Sequence, residues 1–286
     1  MARLFGMIGN RADLAGRVLA AEPEALRVRS RGGPLGWGMG FYQGGEVLMR
    51  RRPIDDRHEI DVATVGGDIR ADVLIGHVRT ATVGTLRTEN THPFRYRQWL
   101  FAETGTIPGF ESLRERLTTS VPEFLRGNIR GETDSEVMFH VFLSFLHDSG
   151  RIHDLVVEAA VVQDALRSTV AVIDGMTAEI GGEPAAVNML VTNGDYVVGV
   201  HRAATMAIRQ FAGKNDADAL IGDDLQLRRR APELAQMRFA LLASDFDDDP
   251  GAVSTPDLSA GTRWKKVQGR AIVTLTRDDD PKIEAL

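Results

Sequence analysis

The fold turns on the stretch Val73-Leu74-Ile75-Gly76-His77-Val78-Arg79-Thr80-Ala81-Thr82-Val83-Gly84. Its first half is a short apolar run of the kind that forms a buried strand, and its exit carries a cation and hydroxyls. Similar runs lie upstream. Leu4 to Ile8 is apolar and bounded by Gly9-Asn10. Gly36-Trp37-Gly38-Met39-Gly40-Phe41-Tyr42 and Glu46-Val47-Leu48-Met49 flank Gln43-Gly44-Gly45, which predicts a hairpin. Between these strands, Leu14, Val18 and Leu19 predict one helix within Arg11 to Leu26, ending near Pro23. Trp99 to Ala102 reads as the next strand downstream.

The period then changes. Val137, Met138, Val141, Phe142, Phe145 and Leu146 share one helical face over Ser135 to Asp148, and Ser149-Gly150 closes that helix. A second helix is expected over Asp154 to Asp174, capped by Asp154, with Leu155, Val156, Ala159, Val162, Leu166 and Val170 inward. Strands return at Ala186 to Thr192, Tyr196 to His201, Phe239 to Ser244 and Ala271 to Thr276, the first two joined by Asn193-Gly194. Arg209 to Arg238 reads as charged and irregular, and Asp245 to Gly261 as a surface loop. Strands, two helices and strands again imply an α+β sandwich. With no internal repeat and no Pro, Gly or Ser-rich linker, one domain over 1–286 is expected.

The composition excludes several classes. The chain has 286 residues, 34 basic against 40 acidic, a net charge of −6, and 43% apolar residues. A mildly acidic chain without a long basic block is a poor nucleic-acid binder, because that affinity comes from phosphate neutralisation. No apolar run reaches the roughly 18 residues of a membrane span, and the opening MARLFGMIGNRADL lacks a secretory pattern, so a cytoplasmic location is expected. The cysteine count is zero. Disulfides, thiolate metal sites and a cysteine nucleophile are thereby removed.

Polar residues at strand exits and turns are the candidates for chemistry. Taken alone, Arg79 reads as a surface ion-pair residue. Gly131-Glu132-Thr133-Asp134-Ser135-Glu136 reads as a helix start, with Thr133 or Asp134 as N-cap, or as a carboxylate aimed at an amine. Glu103, Thr104, His77 and Asp134 are also the residue types of an acid/base or hydroxyl-nucleophile cluster, though their spacing matches no metal motif. His92 is expected to be a structural, hydrogen-bonding histidine, and Trp37 and Trp264 core aromatics. Arg50-Arg51-Arg52 is expected at a solvated hairpin tip, Arg228-Arg229-Arg230 at a solvated helix end, and Asp247-Asp248-Asp249 in a solvent-facing loop.

Taken together, these segments resemble a family. Ala2-Arg3-Leu4-Phe5-Gly6, Gly36 to Tyr42, Gly76 to Gly84, Glu89-Asn90-Thr91-His92-Pro93-Phe94, Phe101-Ala102-Glu103-Thr104-Gly105-Thr106-Ile107-Pro108-Gly109 and Gly131 to Glu136 follow the order and spacing of the class II glutamine amidotransferases. These are N-terminal-nucleophile hydrolases, and the likeness is closest to the small stand-alone members. The resemblance implies a four-layer αββα sandwich. It also implies a cysteine nucleophile after the initiator Met, whose freed α-amine is the base, and an Asn-Gly pair, usually preceded by His, that stabilises the oxyanion. An arginine for the substrate α-carboxylate and an aspartate for its α-ammonium complete the pattern.

Transferred residue by residue, the resemblance makes Arg79 the carboxylate-binding arginine, with Thr82 beside it, and Asp134 the ammonium-binding aspartate. The nucleophile position is Ala2. The oxyanion segment reads Glu103-Thr104-Gly105, which keeps a backbone N–H at Gly105, lacks the Asn donor, and is expected to bring the Glu103 charge near the developing anion. The implied protein is a catalytically silent relative that binds glutamine or a γ-glutamyl compound, or serves as a partner subunit, with no metal or cofactor. The alternatives are an amidohydrolase in which an original cysteine at position 2 has been replaced by alanine to trap substrate, and a hydrolase rebuilt around Glu103 and Thr104. Oligomeric state is not encoded in any motif.

Overall fold

The structure is a computed structural model that describes residues 2–30, 34–80, 85–229, 231–234, 236–246 and 263–286. In chain order the strands are β1 (Ala2–Gly9), β2 (Arg27–Arg29), β3 (Leu35–Gln43), β4 (Glu46–Asp55), β5 (Glu59–Asp61), β6 (Val73–Thr80), β7 (Phe94–Tyr96) and β8 (Trp99–Thr106). After the central helices come β9 (Ala186–Thr192), β10 (Val197–His201), β11 (Met206–Ala212), β12 (Arg238–Ser244), β13 (Trp264–Lys266), β14 (Ala271–Leu275) and β15 (Lys282–Ala285). The helices are α1 (Ala15–Ala20), α2 (Pro23–Leu26), α3 (Val62–Gly66), α4 (Phe110–Ser120), α5 (Glu123–Arg126), α6 (Asp134–Asp148), α7 (Ala159–Glu179), α8 (Gly213–Ile221), α9 (Leu225–Arg229) and α10 (Ala231–Leu234).

Two large sheets form, ordered β13-β11-β12-β1-β6-β3-β4 and β15-β14-β10-β9-β8-β7. Alternation along the strands sorts their side chains into three apolar layers. Leu4, Ile8, Val73, Ile75, Leu100, Ala102, Leu190 and Leu242 fill the space between the sheets. Phe5, Met7, Leu74 and Leu241 face α1, α3 and α8 through Leu19, Val62 and Leu220. Trp99, Phe101, Met189 and Val198 face α4, α6 and α7 through Leu113, Phe139, Phe142 and Leu166. Helices, sheet, sheet and helices make the four-layer αββα sandwich that the family resemblance implies.

The hairpin between β3 and β4 turns on Gly44 and Gly45, both left-handed (φ 62° and 82°), which glycine adopts without steric cost. Thr133 caps α6, its hydroxyl accepting from the Glu136 N–H, so the cap reading of that segment is correct in detail.

Five expectations are corrected. The helix read over Arg11 to Leu26 is broken into a 3-10 turn (Ala12–Leu14), α1 and α2, because Pro23 starts a new helix rather than ending an old one. The second central helix begins at Ala159, not Asp154. Asp154 instead pairs with Arg151, its carbonyl accepts from Gln98, and Leu155 and Val156 are 84% and 78% exposed. Arg209 to Arg238 is not irregular: it completes β11 and forms α8 to α10. The arginine that hid the strand period, Arg209, is 4% exposed and bound to both Glu22 and Asp216. Arg50-Arg51-Arg52 lies within β4 rather than at its tip, with Arg50 on Asp68 and Arg51 on the Thr91 carbonyl. Asp245 and Phe246 are buried, so the segment read as a surface loop starts inside the protein, while Asp247-Asp248-Asp249 lies outside the described residues.

Candidate functional site

Strand register brings the sequence candidates to one end of the sandwich. Ala2, at the start of β1, is the antiparallel partner of Arg79 near the end of β6. On its other side β1 pairs with β12, Phe5 opposite Ala243, which sets the turn at Ser244-Asp245-Phe246 beside the first residues of β1. Arg3 fastens that turn: its guanidinium donates to the Ser244 carbonyl at 2.8 Å and lies 4.4 Å from the Phe246 ring centre.

The second sheet supplies Glu103 and Thr104 from the end of β8. These neighbours face opposite ways. Thr104 continues the phase of Leu100 and Ala102, toward the other sheet, whereas Glu103 continues that of Trp99 and Phe101, toward α6. The Glu103 Oε2 accepts from the Ser135 hydroxyl at 2.5 Å, and its Oε1, fully buried, has no hydrogen-bond partner. Burial, and then the adjacent Asp134, push the Glu103 carboxyl well above the usual carboxylate range. This corrects the expectation that Glu103 carries its charge to the oxyanion position.

The acid that does meet the oxyanion segment is Asp245. Thr104 Oγ1 donates to Asp245 Oδ1 at 3.2 Å, and the Ser244 hydroxyl donates to the other carboxylate oxygen. Asp245 sits at φ 66°, a left-handed conformation uncommon outside glycine and best tolerated by Asn and Asp. The sequence carried a signal for it: a polar pair directly after the buried run Phe239 to Ala243, the same strand-exit pattern that singled out Arg79. Gly105 keeps the backbone of the segment in place. At φ 138°, with the Ala186 carbonyl 2.3 Å from where a Cβ would stand, that position admits glycine alone.

Arg79 and Asp134 lie near enough at this end for their charges to act on each other. Arg79 is buried and donates to the Asn90 carbonyl at 2.9 Å; burial lowers its pKa, while the charges of Asp134 and Glu103 hold it up. Asp134 opens α6 and accepts from the backbone N–H groups of Ile107 and Ser135 at 2.9 and 3.0 Å. Burial raises its pKa against the pull of those donors and of Arg79. Thr82 lies outside the described residues.

The remaining candidates are packing groups. His77 faces the space between the sheets, and its ring nitrogens are buried without partners; burial pulls its pKa down to about 3, so it is neutral near pH 7. His92, expected to be hydrogen-bonded through its ring, instead packs edge-on between His77 and Phe94, at 4.6 and 4.7 Å, with no partner on either ring nitrogen. Trp264 is a core aromatic against Phe246, and Trp37 is half-buried with its indole N–H on Asp55. Among the described residues no group of three or more histidines or acids is arranged to hold a metal ion.

A family model for class-II glutamine amidotransferases matches residues 1–281, and the chain belongs to that family. It is 35% identical over 125 residues to an uncharacterized protein of Methanocaldococcus jannaschii, a match covering 42% of this chain and 33% of that one. It is 30% identical over 117 residues to the gamma-glutamyl-hercynylcysteine sulfoxide hydrolase of Mycobacterium tuberculosis, covering 37% of this chain and 50% of the relative. The matches thus span about a third to a half of these curated relatives. Among solved structures, a glutamine aminotransferase class-II domain protein from Silicibacter pomeroyi superposes over 99% of this chain and 98% of its own with a TM-score of 0.57. At 15% identity that likeness speaks for the fold. Among the described residues no helix is long and apolar enough to cross a membrane.

Proposed function

We propose that this chain is a non-hydrolytic member of its family, a single-domain cytoplasmic protein that binds the head group of an α-amino acid, glutamine or a γ-glutamyl compound in the first instance, and acts as a sensor or partner subunit. One observation carries the reading: the two charged groups suited to an amino-acid head group, Arg79 and Asp134, converge beside a strand position occupied by the methyl group of Ala2. A guanidinium and a carboxylate are the groups that an α-carboxylate and an α-ammonium pair with.

Hydrolysis lacks both of its requirements. The chain has no cysteine, and the side chain at the oxyanion segment, Thr104, directs its proton to Asp245. A hydrolase rebuilt on Glu103 and Thr104 is not favoured, because the two face different layers of the sandwich.

The test is calorimetry with L-glutamine beside an ammonia-release assay. Binding without ammonia is expected, and ligand at ten times Kd adds about 1.4 kcal/mol to stability. Ammonia release by protein free of contaminating glutaminase removes the non-hydrolytic reading. Absence of heat and of a thermal shift at millimolar ligand removes the binding reading.

A further inference from the structure

The two clamp groups come from different layers: Arg79 lies near the end of β6 in the first sheet, and Asp134 opens α6, which covers the second. One buried residue reaches the chain around both. Asn90, 2% exposed, gives its backbone carbonyl to the Arg79 guanidinium at 2.9 Å. Its side-chain oxygen accepts from the N–H of Glu132, just ahead of Asp134, at 2.8 Å, and its side-chain nitrogen donates to the Thr85 carbonyl at 2.9 Å. A donor and an acceptor on one short side chain are what asparagine has and aspartate or leucine lacks. The fit is close: a Cβ on Gly131 would stand 2.4 Å from the Asn90 side-chain oxygen. The Glu136 carboxylate accepts from the Arg130 and Gly131 N–H groups at 3.0 and 2.6 Å, so the turn leading into α6 is held by both side chains.

We propose that Asn90 is a positioning residue that fixes the separation of the Arg79 guanidinium and the Asp134 carboxylate, so that one small molecule carrying a carboxylate and an ammonium spans them. The inference rests on the reading of Arg79 and Asp134 as the head-group clamp. Asn90 touches no ligand in this role. Its bond to Arg79 comes from the backbone and survives a change of side chain, whereas its bond to Glu132 does not. Removing the carboxamide therefore leaves Arg79 held and leaves Asp134 its own donors, the Ile107 and Ser135 N–H groups, and frees only their spacing. Two groups on one molecule bind more tightly than either alone only while their partners stand at a matching separation.

Calorimetry on the intact chain, with ligand-observed NMR for weak binding, compares L-glutamine with two analogues that each keep one end of the head group. Glutaramate has the carboxylate and no amine, and γ-aminobutyramide has the amine and no carboxylate. In the parent, glutamine is expected to bind at least about tenfold more tightly than either, since a hydrogen bond to a charged partner is worth about that factor. In Asn90→Ala, checked for a native circular-dichroism spectrum, glutamine is expected to lose about tenfold in affinity and the analogues less than about threefold. Gly131→Ala, whose methyl displaces the same contact from the other side, is expected to do likewise and carries the test if Asn90→Ala does not fold. An unchanged affinity for glutamine in the folded variants, or an equal loss for all three compounds, overturns the positioning role and leaves the clamp standing. A parent that does not bind glutamine at millimolar concentration, or binds it no better than the analogues, overturns the clamp reading and this inference with it.

Discussion

The Thr104 hydroxyl donates to the Asp245 carboxylate at 3.2 Å, joining residues 141 apart in the chain and the two sheets of the sandwich. Both groups are buried, so the contact is screened little by water. Replacing Thr104 by valine keeps the shape and takes a donor away from a buried carboxylate. Thr104→Val is expected to lower stability by about 1.5–3 kcal/mol in urea denaturation. A loss near zero would mean that the hydroxyl and carboxylate do not pair in solution.

Glu103 gives a dependence on pH with a defined sign. Its folded-state pKa lies well above the ordinary value of 4.5, so between that value and its folded pKa the native state holds a proton that the unfolded state has released. Its contribution is therefore fully present below about pH 4.5 and is lost as pH rises toward the folded pKa, at up to about 1.4 kcal/mol per pH unit. Asp134, Asp245 and Arg79 act on the same group, so the clean measurement is a difference. Glu103→Gln is expected to be increasingly more stable than the parent as pH rises above 4.5. A constant difference across that range would place an ordinary carboxylate at this position.

Restoring sulfur alone should not restore hydrolysis. In Ala2→Cys the oxyanion segment still lacks its side-chain donor, and one such donor is worth about 10²–10³ in rate. Ammonia release by Ala2→Cys is expected to stay at background in a coupled glutamate assay. Adding Thr104→Asn is the change expected to raise it.

Arg209 is a structural cation. It lies over the Phe211 ring at 4.0 Å and reaches Glu22 and Asp216 at 3.1 and 2.6 Å. Arg209→Met takes the buried cation from two acids, leaving Glu22 the Trp264 indole N–H and Asp216 the Ala212 N–H and Arg263, and a loss of about 1–3 kcal/mol is expected by thermal denaturation. If the variant matched the parent, the two ion pairs would be neutral in net effect.

The strand exit after Val78 drew attention to Arg79, and Thr133 with Glu136 three residues on to the start of α6, but each alone read as an ion pair or a cap, and it took the family resemblance to propose Arg79 and Asp134 as a clamp. Asp245 went unread because Asp247-Asp248-Asp249, two residues on, make the stretch look solvated and outweigh the polar pair at the exit of the buried run. The opposite aspects of Glu103 and Thr104 follow from the two-residue period of β8, yet the strand was read only to Ala102, so the period was not extended to them. Arg209 misled for the converse reason: a charge within a strand looks like loop until its buried partners, Glu22 and Asp216, are known.

The two-residue period of β8 also makes its length a switch in its own right. Inserting one amino acid between Ala102 and Glu103 would exchange the two aspects, turning the acid toward Ala2 and the hydroxyl toward the helices, with the composition of the strand otherwise unaltered. Spacing, as much as residue type, decides whether that end of the protein meets its guest with a hydroxyl or with an acid.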